Sequence, residues 1–270
     1  MSEIFGAEAY TPKEVAARIE TVGVTKANLP LIPLAALGVL AGGFIGLGAL
    51  FYTLVVSDSS LSFAVQRLLG GTVFSLGLIL VVVAGAELFT GNNLMVMAWV
   101  DRQISTKLIV RNLGLVYLTN FFGAAGLALL VAWSGQAKMN GGAVGATAIV
   151  IATGKCSLGF GEAFFRGVLC NVLVCLAVWL AMAGKSVTDR IVAVIFPITA
   201  FVAAGFEHCV ANMYFVPLGL ILAEGNGPTE LSWSGFAVHN LLPVTLGNLV
   251  GGAGMVGMVY WVIYCRGKSD

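Results

Sequence analysis

Two glutamates and one histidine stand in stretches of sequence that are otherwise almost entirely apolar. Glu87 follows Gly85 in one stretch, and Glu207 and His208 follow Gly205 in another. An unpaired charge deep in an apolar membrane costs at least ~2.5 kcal/mol, so such residues have either a function or a structural partner. An imidazole, with a reference pKa of ~6.5, can gain or lose a proton near neutral pH. These residue types therefore predict handling of charge and protons.

The two stretches repeat one pattern. Gly-x-Glu-x4-Asn occupies positions 85–92 and recurs at 205–212. A second pattern agrees at eight positions, at one constant offset, between 112–126 and 240–254. Agreement of this kind predicts an internal duplication.

His208 breaks the repeat, because its counterpart is Leu88. One interpretation is a neutral imidazole that becomes a cation when an anion arrives, and so attracts the ion or lends it a proton. A lent proton would let the species cross as a neutral acid. The alternative is a buried histidine hydrogen-bonded to a neighbour such as Glu207.

The other charged residues near these stretches also allow two interpretations. Glu87 and Glu207 are either proton or pore groups, or carboxylates that satisfy backbone N–H groups where a helix is broken. N–H groups at the start of the second half-helix attract anions in either case. Lys155 either concentrates anions at an outer mouth or is an ordinary snorkelling lysine. Glu162 and Arg166, four residues apart, are expected to pair with each other.

Composition identifies the elements that must position these groups. The 270 residues are 59% hydrophobic and 10% charged, whereas soluble domains carry about 25% charged residues. Membrane lipid must therefore be part of the solvent, and the spans are predicted at 30–56, 67–99, 109–133, 160–183, 190–222 and 236–264. The second and fifth spans carry Gly and Glu near their middles, which predicts interrupted helices. The five cysteines form no CxxC pair and are expected to be free, buried thiols.

Three spans per repeat place the second copy in the opposite orientation. The predicted fold is therefore an all-α integral membrane protein of six transmembrane helices, built as two inverted three-helix repeats whose breaks meet near the midplane at 85–93 and 205–213. Lys and Arg placement predicts cytoplasmic N- and C-termini. The cytoplasmic side would hold Lys13, Arg18, Lys26, Arg102, Lys107, Arg111, Lys185, Arg190, Arg266 and Lys268. The other side would hold Arg67, Lys138, Lys155 and Arg166.

The expected segments are 1–29, a cytoplasmic amphipathic stretch; 30–265, the channel domain; and 266–270, a short tail. Within the first, Thr11 and Glu14 predict a capping box that opens a helix over 11–26. That helix is interpreted as lying on the membrane surface or as a soluble tail helix. Apolar residues beside the breaks are interpreted either as tight, dry constrictions or as ordinary packing. They are Phe74, Leu78, Leu88, Phe89 and Phe201.

At these residues the sequence resembles the formate/nitrite transporter family. The resemblance rests on 85–90 (Gly-Ala-Glu-Leu-Phe-Thr), 171–179, 204–213 and 239–248, and it extends from about Thr11 to Tyr264. It implies an aquaporin-like fold and a homopentamer with one pore per subunit.

The resemblance also implies roles for single residues. The family's central histidine falls on His208 and its break threonine on Thr90. The constriction residues fall on Phe74 and Leu78 at one end and on Leu88 and Phe201 at the other. Polar residues near the pore fall on Lys155, Asn171 and Asn212. The chain departs from the expected formate-channel sequence after Thr90, where it has Gly91-Asn92-Asn93. That loop gates some family members.

The function predicted from these observations is a passive or proton-coupled channel for formate. Nitrite and hydrosulfide are alternatives, since all three are small monovalent anions. A neutral-solute channel of the aquaporin class is disfavoured because no Asn-Pro-Ala stands at the breaks. An enzyme, a cofactor and a nucleic-acid partner are not expected, since the chain has no metal-ligand spacing, nucleophile motif, phosphate loop or basic patch.

Overall fold

The computed structural model describes residues 9–266, and within that range the secondary structure is helical apart from one isolated bridge between Ala9 and Gly184. Residues 1–8, and the predicted tail beyond Arg266 with Lys268, lie outside the described residues. In chain order the α-helices are α1 (Pro12–Ala27), α2 (Leu31–Val56), α3 (Phe63–Ile79), α4 (Phe89–Asn92), α5 (Val96–Val100), α6 (Thr106–Trp133), α7 (Ala143–Cys156), α8 (Phe160–Ala183), α9 (Val187–Ala204), α10 (Cys209–Ala223), α11 (Trp233–Gly235), α12 (Leu242–Leu249) and α13 (Val259–Tyr264).

Six helical segments of the described chain are long and apolar enough to cross a membrane, as the sequence predicts. They are Leu31–Val56, Phe63–Gly85, Thr106–Trp133, Phe160–Ala183, Val187–Ala204 and Trp233–Tyr264. The last is α11, α12 and α13 joined by the π-helical segments Phe236–Leu241 and Val250–Met258.

Both predicted interruptions are confirmed. After α3 the chain forms a π-helical segment to Gly85, runs extended to Leu88, and begins a new helix, α4, at Phe89. After α9 it turns at Gly205 and begins α10 after His208. The two glycines have φ of 87° and 74°, a left-handed conformation that favours glycine. Each sharp turn therefore requires the residue that the repeat preserves.

Glycines bring the spans of each half into backbone contact. A Cβ added at Gly42 of α2 would lie 2.0 Å from the carbonyl oxygen of Asn120 on α6. In the other half, a Cβ at Gly247 of α12 would lie 2.1 Å from the carbonyl oxygen of Phe164 on α8. Small residues at such crossings allow the close packing that holds helices together in lipid.

The non-spanning helix α1 forms as expected, and its apolar face packs against the rest of the protein. Its capping box is present, with Thr11 Oγ1 accepting from Glu14 N at 3.3 Å and Thr11 N donating to Glu14 at 2.7 Å. Its apolar residues Val15 and Ile19 are buried in a cluster with Met97 of α5 and residues of α8. Neither a membrane-surface helix nor a soluble tail helix describes this position, because the protein itself covers the apolar face.

A second non-spanning helix, α7, was not predicted. It packs against α10, the second half-helix of the fifth span, just as α1 packs against α5, which follows the break in the second span. Each half of the molecule therefore contains a short covering helix in addition to three spans.

Candidate functional site

The first break is held by a polar cluster around Glu87, whose side chain is buried. Lys26 Nζ lies 2.8 Å from Glu87 Oε1, and Asn92 Nδ2 donates to Glu87 Oε2 at 2.7 Å. Asn92 Nδ2 also donates to Asn112 Oδ1 at 2.9 Å, and Asn112 Nδ2 donates to the Lys26 carbonyl at 3.0 Å. The cluster ties α1, the break and α6 together.

The second break carries a corresponding cluster of a lysine, a glutamate and two asparagines. Lys155 Nζ lies 3.0 and 3.1 Å from the two carboxylate oxygens of Glu207. Asn212 Nδ2 donates to Glu207 Oε2 and to Asn240 Oδ1, both at 2.7 Å, and Asn240 Nδ2 donates to the Lys155 carbonyl at 3.0 Å. Both buried carboxylates are thus paired and hydrogen-bonded, as burial of a charge requires.

Asparagines, not the glutamate carboxylates, receive the backbone N–H groups at the breaks. Asn120 Oδ1 accepts from Phe89 N at 3.0 Å, and its Nδ2 donates to the Glu87 carbonyl at 2.9 Å. At the second break, Asn248 Oδ1 accepts from Cys209 N and Asn248 Nδ2 donates to the Glu207 carbonyl, both at 3.0 Å. The expectation that the carboxylates would serve these N–H groups is therefore wrong. An amide carries a donor and an acceptor together and can satisfy both sides of an interrupted helix.

Thr90 and His208 bring the two breaks into contact. His208 Nε2 lies 2.9 Å from Thr90 Oγ1, and both residues are buried. His208 also caps α10, because its Nδ1 accepts from Ala211 N at 3.1 Å. Since Nδ1 is an acceptor there, the ring proton of a neutral imidazole lies on Nε2 and points at Thr90.

Aromatic side chains wall this contact on one side. The Phe201 ring lies 6.0 Å from the imidazole at an interplanar angle of 28°. Phe74 meets Phe201 edge to face, with ring centroids 5.6 Å apart. The polar pair is therefore bordered by apolar surface.

Two cavities approach this centre from opposite ends of the molecule. The α1 vestibule, about 570 Å³, is lined by residues of α1 and the first break, including Lys26 and Leu88. The α7 vestibule, about 250 Å³, is lined by residues of α7 and the second break, including Lys155 and His208. No described residue lines both cavities.

The apolar residues beside the breaks divide between these vestibules differently from the expected pairing. Leu78 and Leu88 line the α1 vestibule, and Phe74 and Phe201 line the α7 vestibule. The residues are thus grouped differently in the two cavity linings than in the expected pairs, Phe74 with Leu78 and Leu88 with Phe201, whose role as constrictions stays a prediction. Phe74 precedes Leu78 by about one helical turn on a span that runs along the passage, so the two face different vestibules.

Three other predicted residues, Phe89, Asn171 and Asn212, line neither vestibule. Phe89 packs edge to face on Tyr117, with centroids 4.9 Å apart. Asn171 is buried and donates to the carbonyls of Thr90 and Asn248 at 3.3 and 2.7 Å. Asn212 belongs to the Glu207 cluster.

Lys26 is the main residue that the sequence analysis missed. Its signal was present, because Lys26-x-x-Leu29 matches Lys155-x-x-Leu158 and continues the repeat toward the N-terminus. Arg67 and Arg166, which line the α7 vestibule, were also not assigned to it.

Comparison with known proteins now decides the family. The family model described as formate/nitrite transporter matches residues 13–262. The chain belongs to the formate/nitrite transporter family. Among curated members, it is 41% identical to the formate channel FocA of Haemophilus influenzae, with 93% of each chain covered. It is 38% identical to FocA of Escherichia coli K12, with 94% of each covered.

Solved structures of this family share the fold. A pentameric formate channel with formate bound superposes with a TM-score of 0.81 at 40% identity, covering 87% of this chain and 97% of that one. A second ion channel of the FNT family superposes with a TM-score of 0.80 at 32% identity, covering 93% and 98%. The fold predicted from the sequence is thereby confirmed: the chain is a multi-pass membrane protein with the architecture of the formate/nitrite transporter channels.

Proposed function

We propose that this protein passes formate, and other small monovalent anions, across the membrane between the α1 and α7 vestibules. The observation that carries the proposal is the buried contact between Thr90 and His208, which joins the two helix breaks. His208 lines the α7 vestibule, and Leu88 of the first break lines the α1 vestibule. The substrate is inferred from relatives that are formate channels and that this chain matches over nearly their whole length.

In the proposed passage, fixed hydrogen-bond donors of the protein replace the water molecules that hydrate the anion. Leu78 and Leu88 at the end of the α1 vestibule, and Phe74 and Phe201 at the end of the α7 vestibule, would form the dry constrictions of this passage, where a hydrated ion loses its water. The Nε2–H of His208 and the hydroxyl of Thr90 lie side by side and can donate to an entering carboxylate. Donors already in place cost no reorganisation when the anion arrives, and they are strongest where water is excluded.

Proton coupling would involve the same imidazole. His208 can lend a proton to formate only from the imidazolium form, because a neutral ring that lost its Nε2 proton would become a strongly basic imidazolate. The second proton comes from water and sits on Nδ1, which must then give up the bond from Ala211 N. Formate takes the Nε2 proton and crosses as formic acid, and His208 is left as a neutral ring. We therefore infer that proton transfer, where it occurs, runs through Nε2 and requires the cap that His208 makes on α10 to open.

The proposed assembly is a homopentamer with one passage in each subunit, as in the pentameric relative. The segment 30–265 holds the spans, and the preceding segment 1–29 completes the α1 vestibule through Lys26. The proposed location is the bacterial cytoplasmic membrane with both termini in the cytoplasm, so that the α1 vestibule opens inward. The excess of Lys and Arg on that side supports this orientation.

Formate flux into proteoliposomes tests the proposal. Formate flux should be higher into liposomes that contain the wild-type protein than into empty liposomes. His208→Phe, which removes both ring nitrogens, should reduce this flux strongly. His208→Asn keeps an N-cap acceptor for α10 while removing the imidazole, and so separates capping from conduction. His239→Phe changes the other, exposed histidine and serves as the matched control. Equal formate flux in wild type and His208→Phe would refute the role of His208.

Nitrite and hydrosulfide are tested in the same vesicles. Unlabelled nitrite or hydrosulfide that competes with labelled formate more strongly than formate itself would change the proposed main substrate. Flux measured with and without an imposed pH gradient distinguishes a passive channel from proton-coupled transport.

A further inference from the structure

The α7 vestibule contains three cations, but their charges are not equally available. Lys155 is held by both carboxylate oxygens of Glu207. Arg166 pairs with Glu162 and also donates to the Gly205 carbonyl at 3.2 Å. Each of these charges is largely cancelled by a neighbouring carboxylate.

Arg67 is the exception. Among the described residues no carboxylate lies within ion-pair distance of its guanidinium. Its contacts are the hydroxyl of Tyr52, to which Nη1 donates at 3.4 Å, and the ring of Phe63, 5.5 Å from the guanidinium carbon. The side chain is half-buried and lines the vestibule, so its charge faces the cavity.

The surroundings of Arg67 connect it to the inner end of the vestibule. The Tyr52 ring meets Phe215 edge to face at 5.9 Å, and Lys155 Nζ lies 5.2 Å from the centre of the Phe215 ring. A Cβ built on Gly205 would lie 3.4 Å from Arg67 Nη2, which places the guanidinium beside the second break. The planar guanidinium matches a carboxylate, with two parallel N–H donors.

We propose that Arg67, with Tyr52 beside it, is the group that captures the anion at the α7 vestibule, and that Lys155 is not. This inference rests on the proposed function and assigns the entry step of the same passage. Lys155 then serves the second break, and Arg67 supplies the uncompensated positive charge that raises the anion concentration in the α7 vestibule.

Arg67→Gln, measured at formate concentrations far below saturation and at low ionic strength, tests this proposal. Its formate flux should fall roughly fivefold, the factor that one unit charge at contact confers in water-like surroundings. Wild-type flux should decline as an impermeant salt is added, because a charge facing solvent is screened. Arg67→Gln should lose most of that salt dependence, whereas Arg67→Lys should keep it. Lys138→Gln, an exposed lysine on the same side of the protein, is the control.

The outcomes separate the two proposals. If wild type does not conduct formate above empty liposomes, the proposed function fails. If wild type conducts and Arg67→Gln has the same flux and the same salt dependence, the capture role of Arg67 fails. Should Arg67→Gln not fold, Arg67→His replaces it. The ratio of Arg67→His flux to wild-type flux should rise as the pH is lowered from 8.5 to 5.5, because histidine gains its positive charge near its reference pKa of ~6.5. A ratio that stays constant over this range would overturn the proposal.

Discussion

His208 Nε2 lies 2.9 Å from Thr90 Oγ1, and this single bond joins half-helices that belong to opposite halves of the chain. Because both residues are buried, Thr90→Val leaves the Nε2–H of His208 without its acceptor. We expect a loss of about 1–3 kcal/mol of stability and a reduced formate flux. Thr90→Ser, which keeps the hydroxyl, should restore both. Melting of the detergent-solubilised protein and flux in proteoliposomes measure the two effects, and a Thr90→Val protein with unchanged flux would contradict the proposed pore.

The pair of Lys26 and Glu87 predicts a double-mutant effect. Lys26→Gln leaves the buried Glu87 carboxylate without its cation, which should destabilise the protein. The expected cost is below the ~3–5 kcal/mol of a fully buried pair, because the Lys26 side chain is 24% exposed. Glu87→Gln combined with Lys26→Gln should recover most of the loss. Thermal melting of the four proteins measures the coupling, with Lys107→Gln, an exposed lysine, as control. Additive losses would show that the pair does not stabilise the break.

Asn120 predicts a sharper effect from a smaller change. Its Nδ2 donates to the Gly38 and Glu87 carbonyls at 2.8 and 2.9 Å. Asn120→Asp keeps the shape but points a carboxylate at two carbonyl oxygens, so we expect severe destabilisation or loss of folded protein. Asn226→Asp, the same change at an exposed loop position, should be nearly neutral. Yield and melting temperature of the two variants provide the comparison, and a stable Asn120→Asp protein would contradict the assigned bonds.

Glu14 predicts a pH dependence of α1. Hydrogen bonds from the backbone N–H and the hydroxyl of Thr11 lower the pKa of Glu14 below its ordinary value of 4.5. A lowered pKa means that the carboxylate stabilises the start of the helix at pH values above the ordinary pKa. This stabilisation is lost as the pH falls through the pKa of the folded protein. Amide hydrogen exchange in the first turn of α1 should therefore accelerate in acid once intrinsic rates are corrected. Glu14→Gln should remove the pH dependence, and an unchanged profile would refute the capping role.

The proposed orientation predicts which positions an impermeant thiol reagent reaches. The cysteines at 156, 170, 175 and 209 are free and buried, so they give little background. In intact cells Lys138→Cys should react with a membrane-impermeant maleimide, whereas Lys13→Cys should react only after the membrane is permeabilised. The opposite pattern would place the α1 vestibule outside.

The spans and the breaks could be predicted because duplication preserved their residues. Gly85 and Gly205 mark left-handed turns, and the repeated glutamates lie beside them. The helix α7 escaped prediction because its fourteen residues, most of them small or apolar, are too few for a span and carry no cap signal; its N-cap is a glycine. The ion pair of Lys26 with Glu87 joins residues far apart in sequence, and only extending the repeat toward the N-terminus would have revealed it. The division of these apolar residues between the vestibules depends on how α3, the first break and α9 pack together, which local sequence does not encode.

The contact between Thr90 and His208 also shows why the two halves had to diverge. The offset that relates Glu87 to Glu207 relates Leu88 to His208 and Thr90 to Val210. In an assembly of two identical first halves, a leucine would take the place of His208 and would face the threonine of the other copy. In an assembly of two identical second halves, a valine would take the place of Thr90 and would face the histidine. Neither contains a pair of adjacent donors. Joining the copies in one polypeptide allowed each to specialise, so that one supplies the hydroxyl and the other the imidazole.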